Sequence, residues 1–153
     1  MPARDFTNIR HSRSLGFYSV EYVLRFLRNV GPLFDFDYER MIIAFSVALS
    51  NVQALMASDA IADFPSLDSI IPAELQAPVT RSAIARSCGL PRETVRRKVK
   101  AMIGSGVLIS DTRGGLRLTP GIFATEAFSR VVELNEADVR RLLRLLKNVA
   151  SGG

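Results

Sequence analysis

A mainly helical fold, centred on two short helices joined by a tight turn and followed by a β-hairpin, is what three features of the 153-residue sequence predict. The stretch "RSAIARSCGLPRETVRRKVKAMI", residues 81–103, sets a glycine turn and a proline between two runs of helical periodicity. Directly after it, "GVLISDTRGGLRL" places two apolar runs on either side of a Gly-Gly turn, the pattern of a hairpin. Longer segments on both sides repeat apolar residues every three or four positions, as amphipathic helices do.

Residues 1–14 are polar, contain Pro2 and show no periodicity, so a loosely held terminus is expected there. Residues 15–78 read as a helical region for core formation and dimerisation. In "SLGFYSVEYVLRFLRNV" the residues Val20, Val23, Leu24, Leu27 and Val30 fall at helical spacing until Gly31-Pro32 stops the helix. A second helix follows, capped by Asp35 or Asp37 and acidic in its first turn, which complements the helix dipole. Its stretch from Met41 to Leu49 is apolar nearly all round, the mark of a helix buried centrally or in a subunit interface. Ser46, Ser50, Asn51 and Gln53 interrupt it short of the ~20 apolar residues of a membrane span, so a core helix is expected. Pro65, Pro72 and Pro78 punctuate a connector with one short turn around Ala73–Leu75.

The composition changes at Val79. Between Val79 and Pro120 stand nine basic residues and two acidic ones, a local charge of +7 within a chain of net +5, which leaves −2 for everything else. The excess positive charge is therefore confined to about forty residues, and a polyanionic partner is expected for that block. Thr80 is a suitable N-cap for the first short helix, which turns Ile84 inward and offers the small Ala85 for close approach by another helix. Gly89 suits the positive φ of a tight connection, and Pro91 suits the first position of the next helix. On the wheel of that second helix, Val95, Val99 and Met102 gather on one side. Glu93, Arg97 and Lys100 project from the other, flanked by Arg96 and Thr94. Beyond it, Val107 and Ile109, a turn from Asp111 to Gly115, then Leu116 and Leu118 alternating with Arg117 and Thr119 make the hairpin, with Arg113 at its tip. Residues 121–150 predict further helices with a restart capped by Asn135, and Val139, Leu142, Leu146 and Val149 form an apolar seam for dimerisation.

Several function classes find no support. The chain has no G-x-S-x-G, no phosphate-binding loop and no His-based triad, so it is not expected to be an enzyme or to hold a cofactor. One cysteine, Cys88, and one histidine, His11, cannot build a zinc site, and Cys88 reads as a small residue in a turn rather than a redox sensor. The N-terminus lacks an apolar region before a cleavage site, so a cytoplasmic protein without membrane attachment is expected. The aromatic residues from Phe17 to Phe45 read as core or interface, with an effector pocket as the lesser alternative.

A helix with an exposed basic face fits the DNA major groove, where Arg donates bidentately to guanine, Glu accepts from cytosine and flanking cations meet phosphates. With a hairpin behind it, the arrangement is a winged helix-turn-helix: a three-helix core plus a β-hairpin wing, over residues 79–120, with additional N- and C-terminal helices. The run "AIARSCGLPRETVRRKVKAMIGSGVLI" is similar to the DNA-binding region of the catabolite activator (Crp/Fnr) family of bacterial transcription regulators, and also resembles the gluconate-repressor (GntR) type. The first resemblance implies that Arg92, Glu93 and Arg97 read bases. It covers about a quarter of the chain, and no cyclic-nucleotide domain precedes it, so cyclic-nucleotide activation is not implied. The expected DNA-binding set is Arg81, Arg92, Glu93, Thr94, Arg96, Arg97, Lys100 and Arg113, acting in a homodimer on double-stranded DNA. Alternatives are a winged helix that docks an acidic protein, or a regulator that senses a small apolar effector.

Overall fold

The computed structural model describes residues 12–151, so His11 and most of the expected loose terminus lie outside the described residues. The described chain is mainly helical, with five α-helices and one small antiparallel hairpin. The helices are α1 (Ser12–Val30), α2 (Tyr38–Ala57), α3 (Arg81–Cys88), α4 (Arg92–Gly104) and α5 (Glu126–Ser151). Strands β1 (Leu108–Ser110) and β2 (Leu116–Leu118) follow α4, and short 3-10 turns occupy Gly31–Phe34, Ala60–Asp63 and Ala73–Leu75. Two compact units result: Phe34–Ser129, and Met1–Leu33 together with Arg130–Gly153. This grouping does not follow the change of composition at Val79, because α2 belongs with the basic elements that come after it.

In the unit Phe34–Ser129, α2, α3 and α4 contact one another, and the hairpin rests on α2 and α4. Asp37 caps α2 by accepting from the Arg40 amide. Helix α2 then buries Met41, Ile43, Ala44, Val47 and Leu55. Ile84 and Ala85 from α3, Val95, Val99 and Met102 from α4, and Leu108 and Leu116 from the hairpin complete the core. Each of the Val, Ile, Leu and Met side chains among these is worth on the order of 1.5–3 kcal/mol when buried, so this shared core is the main source of cohesion. Phe34 is buried, as expected of the aromatic residues, and packs edge-on against the half-buried Phe45, whereas Phe17, Phe36 and Tyr38 stay exposed. By length and composition α2, 20 residues long, meets the criterion for a membrane span, with a mean hydropathy of 1.4 over an 18-residue window. A third of that window is buried inside the protein, at Met41, Ile43, Ala44, Val47, Asn51 and Leu55, where α2 meets α3, α4 and the hairpin.

One polar residue sits inside this core. Asn51 is 2% exposed, and its Nδ2 donates to the carbonyls of Ala77 (2.7 Å) and Leu116 (3.1 Å) while its Oδ1 accepts from the Leu118 amide (3.1 Å). Its own carbonyl accepts from the Ala77 amide. Val79 in turn pairs with Leu116 in both directions, at 3.1 and 2.8 Å, so the segment entering α3 lies beside β2 like a one-residue third strand. The strand pairing sets Leu108 against Leu118 and Ser110 against Leu116. Leu108 rather than its β-branched neighbours faces the core, and Ile109 points outward.

The other unit pairs α1 with most of α5. Arg25 bridges Glu21 and Asp138, Arg141 donates to Glu21, and Asn29 donates to Asn135 and Asp138. Partners that rise in number along α1 fall along α5, so the two helices run antiparallel. Two expectations are corrected here. Ser12–Ser14, assigned to the loose terminus, are already helical. Asn135 starts no new helix, because α5 is continuous and the Asn135 side chain accepts from Asn29 instead of capping. In the predicted seam Leu142, Leu146 and Val149 are half-buried, while Val139 is exposed.

Replacing Asn51 by Leu keeps the volume but strips hydrogen-bond partners from buried backbone groups of the hairpin and the incoming segment. At about 1–3 kcal/mol for each group left unsatisfied, the expected loss is about 3 kcal/mol of unfolding free energy. Urea unfolding measures it, and a loss below about 1 kcal/mol would show that the amide is dispensable.

Candidate nucleic-acid interface

The basic block is organised by a helix pair whose local geometry follows from its sequence. Thr80 Oγ1 accepts from the Ala83 amide at 3.2 Å and caps α3. The chain leaves α3 through Gly89, at φ 68°, a left-handed value that an L side chain rarely adopts. Pro91 lies one position outside α4 rather than at its first helical position. Its ψ of 140° is extended, and its carbonyl accepts the first helical bond, from Val95.

From there α4 divides by face. Val95, Val99 and Met102 are buried against the core, and Arg92, Glu93, Arg96, Arg97 and Lys100 are exposed. At 100° per residue these five occupy one arc of less than half the circumference. Thr94 is half-buried at the margin of this arc. Lys98 behaves differently: the wheel turns it toward the inner flank, and there it hydrogen-bonds Asp37 and approaches Glu39 at 3.5 Å. One of the five cations in Arg92–Lys100 is thus spent on fastening α4 to the start of α2. The sequence carried that signal in the wheel angle of Lys98, but the acidic partner Asp37 lies 61 residues away.

Glu93 does not stand free among the cations. It accepts two hydrogen bonds from Arg96, at 2.8 and 2.6 Å, in an exposed i,i+3 pair. The Arg96 hydrogen bond, with the neighbouring charges of Arg96 and Arg97, holds the Glu93 carboxyl below its usual range, and Glu93 in turn raises the Arg96 guanidinium. The acid therefore neutralises its neighbour in this structure. Among the described residues no carboxylate pairs with Arg92, Arg97 or Lys100.

Arg81, Arg96 and Lys100 come together with Ile103 around a cleft of about 240 Å³. Three cations from the start of α3 and the outer face of α4 thus converge on one hollow, where an anionic oxygen would meet charge-assisted donors. The hairpin tip lies next to it: a Cβ added at Gly114 would be 3.8 Å from Arg81 Nη1. Asp111 shapes that tip by accepting from the amides of Arg113 and Gly115 at 2.9 and 2.8 Å. Gly115 admits no side chain, since a Cβ there would fall 2.6 Å from Asp111 Oδ2 and 2.7 Å from Pro78. The Arg113 side chain is exposed at the tip. Arg117 is held inward by the Gln76 carbonyl and Asp111, whereas Arg86 is exposed on α3. Cys88 lies 3.0 Å from the Ser46 hydroxyl, in the helix contact beneath the turn.

The geometry thus brings Arg81, Arg96 and Lys100 together and leaves Arg92, Arg97 and Arg113 exposed in the same unit. Among the described residues no group of His, Cys, Asp or Glu is arranged to hold a metal. Comparison with protein-family models, curated proteins and solved structures finds no match to this chain.

The Asp37–Lys98 contact makes the attachment of α4 depend on pH. Burial pushes the Asp37 carboxyl up, but the hydrogen bonds from Lys98 and the Arg40 amide, with the charges of both residues, outweigh it and hold the group below its usual value of 3.8. A depressed carboxyl contributes stability that is complete above its unfolded value and is lost as pH falls through the folded one. Asp37→Asn keeps a capping side chain but removes the charge. Wild type is expected to melt above the variant near neutrality, with the gap closing as pH drops through 4 and below. A gap that stays constant from pH 7 to pH 3 would show that the charge is not its source.

Proposed function

We propose that the chain is a winged helix-turn-helix transcription regulator that binds double-stranded DNA sequence-specifically as a cytoplasmic homodimer. In this reading α2, α3 and α4 are the three-helix core, β1 and β2 form the wing, and α4 is the recognition helix. The observation that carries it is the exposed basic arc of α4, adjoining the cationic cleft at Arg81 and backed by the hairpin that presents Arg113. Arg92 and Arg97 have the reach to donate to guanine edges, and Arg81, Arg96, Lys100 and Arg113 suit phosphate oxygens. Glu93 accepts from a cytosine amino group once Arg96 turns to a phosphate, an exchange made cheap by the exposure of the pair. Thr94, at the margin of the arc, meets backbone or base with its hydroxyl.

Dimerisation is assigned to α1 and α5. Phe17, Val20 and Leu24 share one face of α1 and are 69%, 56% and 61% exposed, an apolar stripe that a second copy would cover. Two-fold pairing presents two recognition helices to half-sites about one helical turn apart.

Selection of bound duplexes from a random pool, followed by fluorescence anisotropy across salt concentrations, is the direct test. The expected result is an enriched palindrome bound with a steep salt dependence. Arg97→Ala should relax preference at one base position and cost about 1–3 kcal/mol, whereas Lys100→Ala should weaken all sequences alike and reduce the salt slope by about 1. Absence of salt-sensitive duplex binding at low micromolar protein would reject the proposal.

A further inference from the structure

A cavity of about 310 Å³ opens in the unit Phe34–Ser129, between the second half of α2, the connector that follows it and the turn after β2. It is separate from the cationic cleft and shares no residue with it. Its size falls at the lower end of the range for small-molecule sites, and its lining is dominated by Val52, Ile61, Phe64, Ile71, Leu118 and Phe123. From this cavity we infer that the protein binds a small, neutral, apolar molecule at the base of its hairpin. The inference goes beyond the DNA-binding reading and does not depend on it.

Three observations select that ligand chemistry. The lining includes no charged residue. Each of its polar side chains already makes a hydrogen bond: Asn51 with the hairpin, Gln76 Nε2 with the Ile71 carbonyl at 2.7 Å, the Thr119 hydroxyl with the Gly106 carbonyl at 2.6 Å, and the Ser66 and Ser69 hydroxyls with each other at 3.3 Å. A ligand that needed strong hydrogen bonds would therefore have to break existing ones. Finally, the charges of the connector, residues 58–78, are all acidic: Asp59, Asp63, Asp68 and Glu74. Asp68 lies between the lining residues Leu67 and Ser69, so an anion approaching the mouth meets repulsion. Leu67 and Ile70 leave large apolar surfaces in water at the rim, at 38% and 62% exposure, and an apolar occupant would cover them.

The cavity also touches the joint on which the hairpin depends. Leu118 belongs to β2 and lines the cavity, and its amide is held by Asn51, which lines it too. An occupant thus presses on both ends of the hydrogen bond that fixes β2 to α2.

The probe for the test is 1-naphthol, with 1-naphthoate as its anionic twin. The chain has no tryptophan, so naphthol fluorescence is read without protein background in that range. Full-length protein should bind 1-naphthol saturably, with methyl NMR shifts concentrated at Ile61, Ile71, Leu118 and Ile122, and 1-naphthoate at least about tenfold more weakly. Val52→Phe, which fills the cavity with a side chain, should abolish binding while its circular dichroism and melting stay those of a folded protein. If that variant fails to fold, the location of the shifts in the wild type decides. No saturation up to the probe's solubility limit, equal affinity for the two twins, undiminished binding by folded Val52→Phe, or shifts confined to α1 and α5 would each overturn the inference.

Discussion

The carboxamide of Asn51 is the contact on which the arrangement of the basic unit depends. A helix, an incoming extended segment and a hairpin strand converge there, and each brings backbone groups that cannot be left unpaired away from water. One side chain with two donors and an acceptor, fixed on the rigid α2, meets the carbonyls of Ala77 and Leu116 and the amide of Leu118 together. Apolar packing alone is non-directional and would let the hairpin slide over α2. The amide selects one register, and the positions of the hairpin tip and of Arg113 follow from it. The same contacts account for a polar residue in the otherwise apolar middle of α2, since its amide is matched by protein backbone.

A second constraint acts on charge. The cations of the basic block are not equivalent once folded. Lys98 and Arg117 are half-buried and committed, the first to Asp37 and Glu39, the second to Gln76 and Asp111. They anchor α4 and the hairpin, respectively. Arg92, Arg97, Lys100 and Arg113 stay exposed on the outer side. Between these groups stands the Glu93–Arg96 pair, fully exposed and therefore of small net worth, so that it exchanges partners at little cost. Inner cations thus serve the fold, and the outer ones are left for the polyanion proposed as partner.

The unit made by α1 and α5 follows another logic. Its inner seam is rich in polar bonds among Glu21, Arg25, Asn29, Asn135, Asp138 and Arg141, whereas apolar side chains line the outward side of α1. Directional polar contacts set the register of two antiparallel helices, in which Val30 and Val131 are also buried. The exposed stripe of Phe17, Val20 and Leu24 is the surface proposed above for a second copy. Cavity and stripe are thus two distinct apolar surfaces, the first a hollow of about 310 Å³ and the second one face of a helix.

Local chemistry in the sequence determined much of this protein by itself. The caps at Asp37 and Thr80, the left-handed Gly89, the short turn at Ala73–Leu75, the buried trio Val95, Val99 and Met102, and the hairpin turn at Asp111–Gly115 all follow from residues within a few positions of one another. Helical period and turn preference are short-range properties, so they are legible in a linear string. What only the tertiary structure decided involves partners distant in sequence: Asn51 with Leu118, Lys98 with Asp37, Val79 beside Leu116, and Asn135 bonded to Asn29 rather than capping a helix. Even the near pair Glu93–Arg96 was undecided, because a carboxylate beside three cations has several partners of similar energy. A side chain's donors and acceptors are visible in the sequence, but which of them are used depends on the elements that packing brings within hydrogen-bond reach.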